Sequence, residues 1–186
     1  MLFRSGPSAQ VGAYGSGSLA ISGSGGNPIA ADPSGLVQGH SGVAIRNGAL
    51  VEGEGLTTIA GSGSSWLDSL APSGFHSEGV LVEGATLRNA DPPSPKISIS
   101  GSGGSVRAGS PFAGSIGVAI TRDALVQNTN GVVEISGSAE NNLADDARSI
   151  GAAVQWGGQV RAASVSINGF ADAGRAFGVK IGRAHV

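Results

Sequence analysis

The chain has 186 residues, a net charge of −2 and an isoelectric point near 5.9. Gly accounts for 33 residues, about 18% of the chain against about 7% in an average globular protein, while Cys is absent, hydrophobic residues reach 40% and charged ones only 13%. This composition excludes a disulfide scaffold and a Cys-ligated zinc site, a disordered chain and, with no Gly at every third position, collagen; no run of 18 apolar residues offers a membrane span, and the charge gives no case for nucleic acid.

The first predicted strand is Leu19-Ala20-Ile21-Ser22-Gly23-Ser24-Gly25, followed by a long loop over 23–41. Gly42-Val43-Ala44-Ile45 is next, then the turn Arg46-Asn47-Gly48, then Ala49-Leu50-Val51, then Thr57-Thr58-Ile59-Ala60-Gly61-Ser62-Gly63. The same three motifs return in the same order. Gly79–Val82, Ala85–Leu87 and Ile97–Gly103 form one set, Gly117–Ile120, Ala124–Val126 and Val133–Ala139 the next, and Gly151–Val154, Gly158–Val160 and Val165–Ala171 the last, before Gly178-Val179-Lys180. The Ile at the centre of the third motif recurs at 21, 59, 99, 135 and 167, spacings of 38, 40, 36 and 32 residues. Each motif alternates apolar residues with period 2, as a strand does, and Gly, Asn or Asp between motifs permits turns with positive φ.

One such unit cannot bury its own apolar face, whereas stacked units line up their inward residues. The predicted fold is therefore all-β: a right-handed parallel β-helix of about five coils of three short strands, open at both ends. A sandwich or barrel is the competing all-β arrangement, and it does not explain the repeated motif order. The inward set is Leu19, Ile21, Val43, Ile45, Val51, Thr57, Ile59, Val80, Val82, Leu87, Ile97, Ile99, Val118, Ile120, Val126, Val133, Ile135, Val154, Val160, Val165, Ile167 and Val179. Long loops over 61–78, 101–116, 137–150 and 169–177 carry Trp66, Phe75, Val106, Phe112, Leu143, Phe170 and Phe177, and the loop at 23–41 carries Ile29. These residues are expected to pack down as a lid along one flank. Pro92, Pro93 and Pro95 mark 89–96 as an exposed bulge. The best helical candidate, Asn142 to Ile150, is short.

The two ends carry a separate signal. Ile181-Gly182-Arg183-Ala184-His185-Val186 is the translation of ATC GGA AGA GCA CAC GTC, a stretch of a widely used sequencing-library adapter. Met1-Leu2-Phe3-Arg4-Ser5 is what the reverse complement, GTG CTC TTC CGA TCT, encodes when GTG is the start codon. Residues 1–5 and 181–186 are accordingly expected to be adapter-derived, with 6–180 as the β-helix segment of something longer.

No catalytic, cofactor or metal residue is expected. The outward positions at the end of the first strand are Arg46, Glu83, Thr121 and Gln155, one carboxylate in four, which is not the acidic ladder that β-helical polysaccharide lyases and hydrolases need. Asp145-Asp146 is read as a solvated turn with Arg148 as its partner. His40 and His76 each precede a first strand and are neighbours on successive coils in this arrangement; with Glu78 they are the one conceivable metal set, read instead as a surface pair. The Gly-Ser-Gly runs are read as turns, lacking the features of a nucleophile elbow or a phosphate loop. Trp66 is assigned to lid packing, and Trp156, as a turn residue, is the better candidate for exposure and sugar stacking.

The pattern in Gly42–Ile45, Gly79–Val82, Ile97–Gly104, Gly117–Ile120 and Val133–Ser138 resembles the repeat region of filamentous haemagglutinin-like proteins, the large adhesins of two-partner secretion systems and related autotransporter passengers. The resemblance covers nearly all of residues 10–180. It implies a non-catalytic stalk segment of a secreted or cell-surface bacterial adhesin. Its partners would be the flanking coils of the parent chain and host-cell or surface glycans or proteins, with no small-molecule cofactor. A fragment of a β-helical carbohydrate-active enzyme, or of a phage or surface-layer fibre, is the alternative.

Overall fold

Motifs too short to enclose a core alone are satisfied by stacking, coil on coil. The computed structural model describes residues 9–14, 17–25, 41–71, 76–89, 96–108, 114–139, 148–172 and 175–182. Its strands are β1 (Gln10–Ala13), β2 (Leu19–Ser24), β3 (Val43–Arg46), β4 (Leu50–Gly53), β5 (Thr57–Ser62), β6 (Trp66–Ala71), β7 (His76–Glu83), β8 (Thr86–Asn89), β9 (Lys96–Gly103), β10 (Val106–Ala108), β11 (Gly114–Thr121), β12 (Leu125–Ala139), β13 (Arg148–Val154), β14 (Gln159–Ala171) and β15 (Arg175–Ile181). There is no helix among the described residues, and Arg148–Ile150, the described part of the helical candidate, is strand. The rest of that candidate lies outside the described residues, as does the proline bulge at 90–95.

Strand pairing is parallel throughout, which makes the fold a parallel β-solenoid and not a barrel or an antiparallel sandwich. Sheet A stacks β3-β7-β11-β13-β15. Sheet B stacks β2-β5-β9-β12 beside β1-β4-β8-β12, with β14 on the far side of β12. The second and third motifs are separate strands in the earlier coils and one continuous strand in β12 and in β14. Register keeps like on like: Ile21, Ile59, Ile99, Ile135 and Ile167 form one column, and Val51, Leu87, Val126 and Val160 another. Ile45, Val82, Ile120 and Val154 face them from sheet A.

Most of the expected inward set is buried, including the Thr57 hydroxyl, which donates to Asn89 Oδ1 at 2.9 Å. The end rows differ. Leu19, Ile21, Val160 and Ile167 are only partly buried, and Val165 and Val179 are exposed, because no strand stacks on the far side of β2 at one end, or of β14 and β15 at the other, among the described residues. β15 runs on to Ile181, one residue past the adapter boundary expected at 180.

Two sequence readings are corrected. The Gly-Ser runs are not turns, since β2, β5, β9 and β12 continue into or through them. A Cβ on Gly61 would strike the carbonyl of Gly79, one on Gly101 the carbonyl of Gly117, and one on Gly79 the amide of Ser102. Sheets A and B therefore meet backbone to backbone along two facing glycine columns, a contact only Gly allows. The first strands also begin upstream of the Gly-Val-x-Ile motif, at His76, Gly114, Arg148 and Arg175. Inside the long loops β6 and β10 pair in parallel. The lid expectation holds for Val106, which is buried, and fails for Phe170 and Phe177, which are exposed on the outermost coil. Ile29, Phe75, Phe112, Leu143 and the Trp66 side chain lie outside the described residues.

Candidate functional site

Val80 and Val82 of β7 point into the core, so Leu81 and Glu83 point out. Upstream, alternation slips by one at Gly79, which faces sheet B beside Val80. Glu78 and His76 consequently join Leu81 and Glu83 on the outer face. The other rows of sheet A share this register, and so the outer face is a grid. One column is Glu78, Ile116, Ile150 and Phe177; the next is Ala44, Leu81, Ala119, Ala153 and Lys180. Along one margin lie Arg46, Glu83 and Thr121, and along the other His76, Gly114 and Arg148. Rows of a parallel sheet are about 4.8 Å apart.

The grid forms a groove of about 460 Å³. Its floor is apolar, with Leu81, Ile116, Ala119 and Ile150 packed as a cluster apart from the main core. Its walls are charged. Arg46 Nε lies 3.2 Å and Arg122 Nη1 2.8 Å from the two oxygens of Glu83, so one carboxylate is held between two guanidiniums. Arg148 and Lys180 complete the basic lining, and Lys180 Nζ stands 5.5 Å from the centre of the Phe177 ring. Among the described residues that line the groove, four cations stand with two carboxylates.

Glu78 is only 7% exposed. Its Oε2 accepts a hydrogen bond from Ser41 Oγ at 3.0 Å. Burial nevertheless pushes its pKa up to about 7, against the opposing pull of that hydrogen bond and of Arg46. His76 is shifted down, first by burial and then by the charge of Arg148, and its Nδ1 is buried without a hydrogen-bond partner among the described residues. At the mouth, Trp156 is 67% exposed with φ of 51°.

The outward set Arg46, Glu83, Thr121 and Gln155 lies together on this groove. The ladder neighbours of Glu78 are Ser41 and Ile116, and those of Glu83 are Arg46 and Thr121. No second carboxylate adjoins either from a neighbouring coil among these positions. Glu78 is buried and His76 is half-buried. His40 and Asp145-Asp146 lie outside the described residues, and among the described residues no three His, Asp or Glu side chains come together as a metal site. Trp156 is exposed in its turn as expected. Sequence reasoning missed Lys180 and the joining of Arg148 to this face. The signal was the repeated Ser-x-Gly ahead of the first motif, at Ser77-Glu78-Gly79, Ser115-Ile116-Gly117 and Ser149-Ile150-Gly151, which extends each strand upstream.

A second furrow, of about 1010 Å³, crosses the outer face of sheet B along the Ser-Gly-Ser rows, with Ser62, Ser102 and Ser138 among its lining and no charged side chain. No family model, curated protein or solved structure matches the chain.

Proposed function

We propose that the chain is a stalk segment of a large secreted or surface-exposed bacterial adhesin of the filamentous haemagglutinin type, with a structural and presenting role and no catalytic one. The observation that carries this reading is the register. One inward column, Ile21 through Ile167, runs unbroken through five stacked strands, so a rod extends simply by adding coils of the same kind. The natural partners of such a segment are the coils before and after it in the parent chain, and glycans or proteins met at a host or neighbouring surface. Its location would be outside the cell.

Immunogold labelling tests this directly. An antibody raised against residues 41–172 should label intact producing cells, decorate thin filaments, and lose its target when the cells are treated with an external protease. Label confined to the cytoplasm, or to a globular particle, overturns the proposal.

A further inference from the structure

Three Asn-Gly pairs punctuate the chain, at 47–48, 130–131 and 168–169. Asn followed by Gly carries a latent reaction. The backbone nitrogen of the Gly attacks Cγ of the preceding carboxamide, a new nitrogen–carbon bond closes a succinimide ring, and the Cγ–Nδ2 bond breaks to release ammonia. Water then opens the ring at either carbonyl and leaves aspartate or isoaspartate. Glycine permits the attack because it has no side chain to crowd the approach, and the step runs only where the nitrogen can reach the carbon in a near-attack geometry.

Two of the pairs are locked. Gly48 donates its N–H to the Gly84 carbonyl at 2.6 Å, and the amides on either side of it, of Asn47 and Ala49, donate to the carbonyls of Glu83 and Arg46 at 3.2 Å each. Asn47 and Gly48 are also both held in the left-handed region, at φ of 59° and 75°. Asn168 lies within β14 in register with Ser136, and Gly169 with Gly137. Gly169 is pressed against the Gly178 carbonyl of the other sheet. In a strand the side chain stands off the face while the next N–H lies in the plane of the sheet, so the ladder keeps the Asn168 carboxamide away from the nitrogen that would attack it.

The third pair is not held in this way. The register of β12 on β14 stops at Asn128–Ala162 and resumes at Val132–Ser164, so Thr129, Asn130 and Gly131 stand opposite Ala163 alone. On the other side of β12, pairing with β8 ends at Gln127 and pairing with β9 starts at Val132. Asn128 Nδ2 closes the base of this corner by donating to the Val132 carbonyl at 3.0 Å. Within the corner, no turn hydrogen bond engages the amides of 129–131 among the described residues, and Asn130 is exposed. Extra residues on one strand lie unpaired and disrupt the ladder locally, which supplies the local freedom that ring closure needs. Gly131 is itself buried, but its nitrogen has only to meet the side chain of the residue before it. We infer that Asn130 is a spontaneous deamidation site of the folded chain, a corner that gains a carboxylate with age, and that the fold protects Asn47 and Asn168. This goes beyond the stalk reading and does not depend on it.

Trypsin places the three pairs in separate peptides, 47–88, 123–148 and 162–175, so each can be followed by itself. The full chain is aged in mildly alkaline buffer, with circular dichroism showing it folded throughout, and a second sample is aged in urea. Both are then mapped by mass spectrometry, with fragment spectra placing the change at Asn130 rather than at the other Asn residues of its peptide. In the folded chain Asn130 should convert to aspartate and isoaspartate at least about tenfold faster than Asn47 or Asn168, the equivalent of about 1.4 kcal/mol in barrier. In urea the three rates should converge, because the fold no longer separates them. The inference is overturned if Asn47 or Asn168 converts as fast as Asn130 in the folded chain, if Asn130 stays unchanged there while the urea sample converts, or if the same ranking persists in urea.

Discussion

At Trp156 the backbone and the side chain pull against each other. A bulky residue with φ near 51° forgoes about 1–2 kcal/mol relative to a residue at home in the left-handed region. Trp156→Asn is expected to raise stability by about 0.5–1 kcal/mol, read as a higher urea midpoint with an unchanged slope. Glu78 gives the second residue-scale prediction. Its pKa of about 7 in the fold stands above its ordinary 4.5, so the native state binds a proton that the unfolded chain has lost. Stability is therefore full below about pH 4.5 and declines as pH rises through 7, by about 3 kcal/mol for this group. Glu78→Gln keeps an acceptor for Ser41 and should remove this part of the slope. Urea midpoints measured from pH 4 to 8 check it, and a variant that keeps the parent's full slope refutes it. The margin formed by Arg46, Glu83 and Thr121 was legible because it follows directly from counting within one short motif. Lys180 and Arg148 were not, because what brings them to Glu78 is register across coils more than thirty residues apart.

At the scale of the strand, glycine does two different jobs that look alike in sequence. Gly48 has φ of +75°, and a Cβ there would meet nothing within 4 Å, so this glycine serves the turn alone. Gly101 has no left-handed φ to protect, yet a Cβ there would strike the carbonyl of Gly117. Gly48→Ala should cost about 1 kcal/mol. Gly101→Ala should cost about 3 kcal/mol or abolish folding, since backbone of another sheet has no room to yield. Thermal denaturation of the two variants separates the roles. The Gly-Ser-Gly runs read as turns because glycine is a local turn signal; its actual partner is on the other sheet and leaves no trace in the local pattern. The upstream halves of β7, β11 and β13 were hidden for a related reason. Their inward residues are Ser77, Ser115 and Ser149, all buried. Ser77 Oγ donates to the Ser64 carbonyl at 2.6 Å and accepts from the Gly104 amide at 2.9 Å. A wall lined by buried serines gives no apolar alternation to read.

For the molecule as a whole, the repeat length, motif order and inward columns specified the solenoid. They are long-range regularities that one chain displays to inspection. The repeat does not describe its own last row. β14 and β15 carry Val165, Val179 and Ile181 in positions that other coils bury, and here they are exposed. Among the described residues no strand covers this parallel edge; in a longer parent chain the next coil would take that place, and in the 186-residue chain by itself the edge is a surface for pairing with a second copy. Sedimentation velocity should show association that grows with concentration, and Val165→Lys with Val179→Lys should return the chain to monomer. Equal sedimentation of parent and double variant across the concentration range would count against edge pairing.

The pairing pattern also fixes how the fold answers a pull. Hydrogen bonds between coils run along the solenoid axis, so tension applied end to end opens one ladder at a time rather than shearing all of them together. Each coil that peels away, such as the forty residues from Ile59 to Ile99, releases about 130 Å of extended chain. A rod of this construction is a spring in series: it yields in steps of one coil, and each step lets out many times the height that the coil occupied.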